Sequence, residues 1–218
     1  MFTGLIETTA TLSAIQTHTD GKDIVVSFPR GTGQHDARAI GDSIAINGTC
    51  LTVTQIKGDD VSFHAISETL NKTTLGSLVV GHRVNIESAC QATSRLGGHL
   101  VQGHIDCVGE IVDMSNAASA LHATAESSQV VIAIKLPREQ MPYMVDKGSV
   151  CLDGVSLTIS RVKRSPEPII EVSVIPLTWE KTTLSDRLVG DRLNVEVDVI
   201  AKYVHNACQP YLADISRR

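Results

Sequence analysis

A chain of 218 residues is long enough for two modest domains, each able to bury a hydrophobic core of its own. Its formal net charge of −5 comes without any block of Lys and Arg, which disfavours a protein that coats nucleic acid. No apolar run approaches the length of a membrane span, and Met1 is followed directly by an alternating pattern, so we expect a cytoplasmic protein with no membrane partner.

The cysteines and the aromatic residues indicate the kind of core. Five cysteines lie far apart with no C-x-x-C pair, which is typical of reduced thiols and not of a disulfide framework. Only 3% of residues are aromatic, whereas Val, Ile, Leu and Thr are abundant. A core of aliphatic and β-branched side chains favours strands.

Short segments of alternating polar and apolar residues predict about six strands in the first hundred residues. They are separated by turn-forming pairs such as Asp20-Gly21 and Asn47-Gly48. Asn47-Gly48 is the strongest hairpin signal, because a type I′ turn needs a positive φ at both central residues. The predicted strands are 4–12, 23–28, 43–46, 50–56, 61–66 and 83–87.

The second half of the chain repeats the first. Residues 47–53, NGTCLTV, return as 153–159, DGVSLTI, and the run KTTL at 72–75 returns unchanged at 181–184. Residues 80–87 return as 189–196, and 1–7 have a weaker echo at 100–106. Several blocks in the same order indicate an internal duplication, with a period too long for a solenoid. We predict two domains of one fold, 1–98 and 99–197, followed by a C-terminal segment, 198–218.

Six short antiparallel strands in each copy would leave exposed sheet edges unless each sheet closes on itself. The sequence therefore predicts an all-β protein of two similar six-stranded antiparallel closed β-barrels, plus a C-terminal α-helix. An insertion in the second copy, residues 113–129, is rich in Ala and Ser and is interpreted as a surface loop with room for a helical turn.

The C-terminal helix is predicted by apolar residues at intervals of three and four. Asp198 is placed to cap it and Pro210 to end it. A single helix of this length needs a partner for its apolar stripe, either a barrel of its own chain or the same helix of another subunit. The stripe comprises Val199, Ile200, Tyr203, Val204 and Ala207.

Two histidines at the junction of the copies, His99 and His104, are candidates for chemistry. A zinc site is the weaker interpretation, because no third ligand follows at a customary spacing, and we expect no metal. His104 stands where the first copy has Leu5, so an imidazole occupies a position at which the fold accepts an aliphatic side chain. This difference favours a catalytic use of His104.

Cys50 and its repeat partner Ser156 form a second candidate. Cys50 is either a buried thiol that packs as a small hydrophobe or a nucleophile activated by a neighbouring base or cation, and the sequence leaves both open. Hydroxyls cluster beside the repeated turns, where they favour a polar ligand such as a polyol chain or a pyrimidine-like ring, although a strand Thr commonly just faces water. They are Ser43, Thr49, Thr52, Ser67, Thr69, Ser156 and Thr158.

Together these blocks resemble riboflavin synthase of the α-chain type. The resemblance rests on residues 1–7, 47–53, 67–70, 97–104 and 153–158 and on the two KTTL runs, and it is collinear from Met1 to about Tyr203. It implies lumazine-binding barrels, a homotrimer assembled through the C-terminal helix, and no cofactor. The implied reaction is dismutation of two 6,7-dimethyl-8-ribityllumazine molecules, in which four carbons pass between them to give riboflavin and 5-amino-6-ribitylaminouracil.

The resemblance also implies where the site lies. Two lumazines meet between the N-terminal barrel of one subunit and the C-terminal barrel of its neighbour, and lumazine synthase is a further candidate partner. The N-barrel pocket would comprise Gly4, Leu5, Ile6, Cys50, Leu51, Thr52, His64, Ala65, Ile66, Ser67, Glu68 and Thr69. The C-barrel pocket would comprise Gly103, His104, Ile105, Lys147, Ser156, Leu157, Thr158, Ile175, Pro176, Leu177, Thr178 and Trp179.

Four residues fall where the family places catalysis. His104 and Asp198 are assigned to proton transfer, and Ser43 and Cys50 to contacting the substrate or assisting addition to its ring. The sequence departs from some relatives in having Thr49 in place of a second Cys and Leu177 in place of an acid. The alternative function is a lumazine- or flavin-binding antenna protein of the same fold without turnover.

Overall fold

The computed structural model describes residues 1–29, 38–115 and 129–215, and this part of the chain forms two antiparallel β-barrels. The first barrel contains β1 (Thr8–Thr17), β2 (Gly21–Ser27), β3 (Ser43–Ile46), β4 (Thr49–Lys57), β5 (Asp60–Ile66) and β6 (Arg83–Ser88). The second contains β7 (Cys107–Ser115), β8 (Val130–Lys135), β9 (Ser149–Leu152), β10 (Val155–Lys163), β11 (Ile169–Val174) and β12 (Arg192–Val197). The helices are Ser67–Lys72, Pro176–Lys181 and the C-terminal helix Val199–Ile215, with 3₁₀ turns at Thr74–Ser77, Arg138–Tyr143 and Thr183–Asp186.

Both sheets close with the same circular strand order. The first runs β1-β2-β5-β4-β3-β6 and the second β10-β11-β8-β7-β12-β9, so each strand of the first barrel corresponds to the strand six numbers later. All pairings are antiparallel. Closure gives every described strand a partner on each side over at least part of its length. The predicted pair of six-stranded barrels is confirmed.

Each barrel has its own core, made mainly of aliphatic residues that alternate inward along the strands. In the first barrel, Leu12, Ile24 and Ile86 are completely buried around Phe63. The core of the second barrel is built in the same way. All five cysteines lie in the described chain and none forms a disulfide.

Three predicted boundaries are wrong. The first strand begins at Thr8 and not at residue 4, because residues 2–7 run as an extended leader, which we call leader 1, between the barrels. Residues 113–115 of the predicted insertion belong to β7, and 116–128 lie outside the described residues. The C-terminal helix continues through Pro210 to Ile215, since the surrounding residues are exposed and water can satisfy the carbonyl that proline leaves without a donor.

The C-terminal helix begins as the sequence predicted. The side chain of Asp198 accepts a hydrogen bond from the Ile200 amide at 2.9 Å, and its carbonyl accepts one from Ala201 at 3.0 Å. Lys202 forms an ion pair with Asp106 at 2.7 Å, which ties the first turns to the second barrel. Among the described residues, no helix combines the length and apolarity that crossing a membrane would need.

The two repeated hairpin turns meet back to back between the barrels. Asn47 and Gly48 have φ values of 45° and 77°, and Asp153 and Gly154 have 45° and 85°, as the predicted type I′ turns require. A Cβ on Gly48 would lie 2.7 Å from the Gly154 nitrogen, and one on Gly154 would lie 2.8 Å from the Gly48 nitrogen. Only glycine fits at this contact. Because the two turns are equivalent in the repeats and their contacts are reciprocal, the contact marks a local two-fold axis that relates the barrels.

Two buried asparagines join the barrels around this axis. The Asn85 side chain donates to the Asp153 carbonyl at 2.9 Å and accepts from the Thr183 amide at 2.8 Å. Its counterpart Asn194 donates to the Asn47 carbonyl at 2.8 Å and accepts from the Thr74 amide at 2.7 Å. Each asparagine therefore satisfies backbone groups of the opposite barrel, which would otherwise be buried without partners.

The two turns at the axis differ in one respect, because the first repeat has Asn47 where the second has Asp153. Asp153 is fully buried and accepts from Arg187 at 2.7 Å, whereas Asn47 has Leu78 in place of that arginine. Burial raises the pKa of the Asp153 carboxyl, and Arg187 opposes this effect. The second repeat thus has both the buried carboxylate of Asp153 and the arginine that pairs with it, whereas the first repeat has neither. A buried carboxylate needs such a partner.

The glycine contact can be tested with a matched pair of substitutions. We expect Gly48→Ala to reduce the free energy of unfolding by about 3 kcal/mol, from its positive φ and from the clash with Gly154. Gly58 also has a positive φ, of 62°, but a Cβ there meets nothing within 4 Å, so Gly58→Ala should cost only about 1 kcal/mol. Urea unfolding measures both, and equal losses would show that the contact between the turns is not tight.

Candidate functional site

The wall of the first barrel opens between β4 and β5. These strands pair only from Val53↔Phe63 to Lys57↔Asp60, with a register shift near Val53. Beyond that point Cys50–Thr52 pair only with β3, and His64–Ile66 pair only with β2. Continuing the register would put Thr52 opposite His64, but in the described structure the two strand ends separate. We call this gap opening N.

The second barrel has the same gap between β10 and β11. Their pairing begins at Ile159↔Val172, so Ser156–Thr158 pair only with β9, and Ser173 and Val174 pair only with β8. We call this gap opening C. Of the residues that the sequence assigned to the pockets, Cys50–Thr52 and His64–Ile66 lie on the facing strand ends of opening N, and Ser156–Thr158 lie on one strand end of opening C. The hairpin signals alone did not reveal that these ends separate.

Strand ends without a partner expose backbone donors and acceptors to a ligand. At opening N, Cys50, Thr52, His64 and Ile66 point away from the core, since the residues between them are buried. Such an edge suits a flat heterocycle whose rim alternates carbonyl and N–H groups, with hydroxyl side chains beside it for a polyol.

Each opening is bordered by a segment of the other repeat. Leader 1 reaches opening C, where the Gly4 carbonyl accepts from the Ser156 amide at 2.8 Å. The equivalent segment 101–106, leader 2, reaches opening N, where the Gly103 carbonyl accepts from the Cys50 amide at 3.0 Å. A Cβ on Gly4 or Gly103 would lie 2.5 Å from the Cβ of Ser156 or Cys50, so both approaches need glycine.

The hydrogen bonds of the leaders differ from the grouping expected from the sequence, which stays a prediction for the bound state. Gly4, Leu5 and Ile6 were assigned to the N-barrel pocket; Gly4 bonds to Ser156 and Ile6 packs on the second core, whereas Leu5 lines a cavity with Ser43 of the first barrel. Gly103, His104 and Ile105 were assigned to the C-barrel pocket, but they border opening N. The physical reason is that each leader bonds across the local two-fold axis before it enters its own barrel.

Two buried glutamates hold the leaders in place. The Glu196 carboxylate accepts from the amides of Gln102, Gly103 and His104 at 2.7 to 3.0 Å. Glu87 accepts from the Thr3 amide and hydroxyl and from the Gly4 amide at 2.6 to 3.0 Å. Three donors to one carboxylate make a rigid anchor, and the sequence analysis did not single out either glutamate.

The four candidate catalytic residues fall into two places. Cys50 and the exposed His104 both border opening N, and Ser43 pairs with Thr52 on the same outer face. Ser43 also lines a cavity of about 640 Å³ with Leu5. Asp198 is separate from these, in a cavity of about 420 Å³ between the second barrel and the C-terminal helix.

His99 was a candidate for chemistry in the sequence, which assigned only His104 to catalysis, and the structure places His99 beside Ser156 at opening C. Its Nδ1 lies 2.7 Å from the Ser156 hydroxyl, and its Nε2 is buried without a hydrogen-bond partner in the described structure. Burial lowers the pKa of His99, and the nearby Asp198 opposes this effect. Opening C thus has a hydroxyl bonded to an imidazole where opening N has the thiol of Cys50.

Lys147 shows backbone strain. It has a φ of 64°, uncommon for a residue with a side chain, at the position where the first repeat has Gly41 with a φ of 95°. Its amide donates to the Ile159 carbonyl at 2.8 Å, as that of Gly41 does to Val53. Lys147 is exposed, and its role in binding stays a prediction.

Some predicted pocket residues cannot use their side chains. Ala65 and Trp179 are buried in the cores of the two barrels, at 0% and 4% exposure. Leu51 and Leu157 also point inward. Their contribution to a site would come from the backbone. By contrast, Ile66, Ile175 and Leu177 are all more than half exposed.

Comparison with known proteins bears on these openings. A model of the lumazine binding domain matches the chain twice, over residues 3–89 and 102–198. The riboflavin synthase of Mycobacterium tuberculosis H37Rv is 43% identical over 205 residues, which cover 94% of this chain and 96% of that protein. The chain belongs to the riboflavin synthase family. The family extends to Schizosaccharomyces pombe, whose riboflavin synthase is 37% identical over 215 residues, 98% of this chain and 97% of the relative.

Solved structures share the fold of this family member. LumP complexed with riboflavin has a TM-score of 0.78 at 25% identity, covering 90% of this chain and 99% of that one. LumP complexed with 6,7-dimethyl-8-(1′-D-ribityl) lumazine has a TM-score of 0.76 at 24% identity with the same coverage.

The glutamate anchors predict a pH dependence of stability. Burial raises the pKa of Glu196 above its ordinary value of 4.5 by more than the three amide donors lower it. The native state therefore holds this proton more tightly than the unfolded state, and its stabilising effect is lost as the pH rises through the raised pKa. The stability of the wild type relative to Glu196→Gln should be greatest below pH 4.5 and decline above it.

Urea unfolding of both proteins over this pH range measures the effect. Glu87→Gln serves as a matched variant, because burial raises the pKa of Glu87 as well. A difference between wild type and variant that stays constant with pH would contradict the account of the anchors.

Proposed function

We propose that this protein is a riboflavin synthase, which dismutates two molecules of 6,7-dimethyl-8-ribityllumazine. A four-carbon unit passes from one lumazine to the other, giving riboflavin and 5-amino-6-ribitylaminouracil. The observation that carries the proposal is the pair of equivalent openings, one in each lumazine-binding repeat. One chain thus offers two places for the same ring, as a reaction between two identical substrates requires.

The strand edges suit the pyrimidinedione side of a lumazine, which alternates carbonyl and N–H groups. Thr52 in opening N and Thr158 in opening C are exposed beside these edges, next to Ser43 and Ser149 on the paired strands. The hydroxyls would bind the ribityl chain. Both openings would therefore hold the ring and its polyol in the same way.

The chemistry needs little beyond orientation and proton transfer. The 7-methyl group of the lumazine is acidic, because the resulting carbanion is delocalised into the pteridine. Holding two rings face to face converts an encounter of dilute molecules into an intramolecular step. His104 would transfer a proton at opening N, where Cys50 would contact the ring and Ser43 would assist, and Asp198 would act from the second barrel.

The two rings would meet between subunits of a homotrimer. The apolar stripe of the C-terminal helix is not covered by its own barrel, since Ile200, Tyr203 and Val204 are 56%, 72% and 57% exposed. The stripe could pack on a barrel of its own chain or on the same helix of another subunit, and its exposure favours the other subunit. We place the trimer in the cytoplasm, and association with lumazine synthase stays a prediction.

A non-catalytic lumazine- or flavin-binding protein is the second candidate, because solved LumP structures cover 90% of the chain. The experiment that separates the two incubates purified protein with the lumazine alone and follows flavin absorbance. We expect one riboflavin to form for every two lumazines consumed. Tight binding with no flavin formed would overturn the synthase and support the second candidate.

The role of His104 can be tested by His104→Gln. We expect turnover about a hundredfold slower, with lumazine binding and the urea midpoint nearly unchanged, because only the proton-transfer group is removed. His82→Gln, at an exposed turn away from both openings, is the control and should leave turnover unchanged. A wild-type rate in His104→Gln would remove this imidazole from the mechanism.

Assembly through the helix can be tested without removing it. Ile200→Asp with Val204→Asp places two charges in the exposed apolar stripe, and we expect monomers by sedimentation. Truncation before Asp198 should give the same result with ligand affinity retained. Gln209→Glu, at an exposed position on the opposite face of the helix, should leave the trimer intact. A trimer that survives the two stripe substitutions would assign assembly to another surface.

A further inference from the structure

A histidine and aspartate cluster lies on the outer face of the first barrel, at the β5 side of opening N. His64 Nδ1 lies 2.7 Å from one carboxylate oxygen of Asp23, and His18 Nε2 lies 2.9 Å from the other. Asp20 is more distant, at 3.9 Å from His64 Nε2. Among the described residues, no group of three or more such side chains has the arrangement of a metal site.

The cluster fixes the orientation of His64. Asp23 is on β2 and His64 on β5, and they are direct cross-strand partners. Because the Asp23 carboxylate accepts at Nδ1, Nε2 is the ring nitrogen left for a ligand, and the nearest acidic group to it is Asp20 at 3.9 Å. The His64 side chain is 30% exposed, so a ligand can reach it. The hydrogen bond from His64 lowers the pKa of Asp23, which keeps this carboxyl ionised.

At the equivalent positions, both within the described residues, the second barrel has no such pair. The residue equivalent to His64 is Ser173, and its cross-strand partner is Val131, at the position of Asp23. A valine can neither accept a hydrogen bond nor balance a charge. The imidazole and its carboxylate thus distinguish opening N from opening C on strands whose pairing is otherwise the same.

We propose that Asp23 is a positioning residue for the lumazine site at opening N and acts through His64, whose Nε2 contacts the bound ligand. This rests on the proposed function, because it takes opening N as a lumazine site. The pair gives opening N a polar contact that opening C lacks, so the two halves of the duplicated chain hold identical molecules differently.

The test is a double-mutant cycle read separately at each opening. The full-length protein is titrated with a non-reacting lumazine that carries a trifluoromethyl group, and ¹⁹F NMR distinguishes the two bound signals. We expect Asp23→Asn to weaken binding of one signal by about 3- to 10-fold and to shift it, with the other signal unchanged. His64→Ala should weaken the same signal, and adding Asp23→Asn to it should weaken binding no further.

Matched controls are available on both barrels. Ser173→Ala, at the position equivalent to His64, should leave the signal of opening N unchanged, and Asp20→Asn should have little effect because Asp20 is 76% exposed. Equal weakening of both signals by Asp23→Asn would overturn the proposal. An Asp23→Asn effect of the same size in the wild type and in the His64→Ala background would also overturn it, because Asp23 would then not act through His64. Failure of the proposed function would look different. The wild type would then bind no fluorinated lumazine, or it would form no flavin when incubated with 6,7-dimethyl-8-ribityllumazine itself.

Discussion

The exchange of buried asparagine side chains between the barrels is the constraint on which the rest of the molecule depends. Asn85 and Asn194 each bind backbone groups of the opposite barrel, and the turns at Gly48 and Gly154 touch without room for a methyl group. Sliding one barrel against the other would leave several buried polar groups without partners, at about 1–3 kcal/mol each. The barrels are therefore held in one relative position.

This fixed relation is what completes each opening. Leader 1 and leader 2 leave their glutamate anchors and cross the axis, so that each lies beside the hairpin of the other repeat. Each opening lies between two strands of one repeat and is bordered by the leader of the other. The two lumazine-binding domains thus have openings that are bordered by each other's leaders, although each barrel has a separate core.

The two openings share a backbone and differ in chemistry. Opening N has the thiol of Cys50, the imidazole of His104 and the Asp23–His64 pair. Opening C has Ser156 bonded to His99, and Leu5 at the position of His104. In the proposed reaction, identical substrates must become donor and acceptor, so a symmetric scaffold with asymmetric side chains is the arrangement that the chemistry needs.

Sequence patterns predicted what depends on near neighbours along the chain. The strands follow from period-two alternation, the turns from Asn-Gly and Asp-Gly, and the two barrels from the repeat. The crossing of the leaders, the Glu196 anchor and the Asp23–His64 pair depend on contacts between distant residues, which no local pattern reveals. Pro210 is a local signal that gave a wrong boundary. It predicted the end of the C-terminal helix, but the helix continues to Ile215, and the residues next to the proline are exposed to water.

We propose that one chain binds a lumazine at each of the two strand openings. A crystal structure of the protein with a non-reacting lumazine tests it most directly. We expect one ligand against Cys50–Thr52 and His64–Ile66, and a second against Ser156–Thr158 and Ser173–Ile175. A single ligand, or ligands bound away from the β4–β5 and β10–β11 gaps, would contradict it.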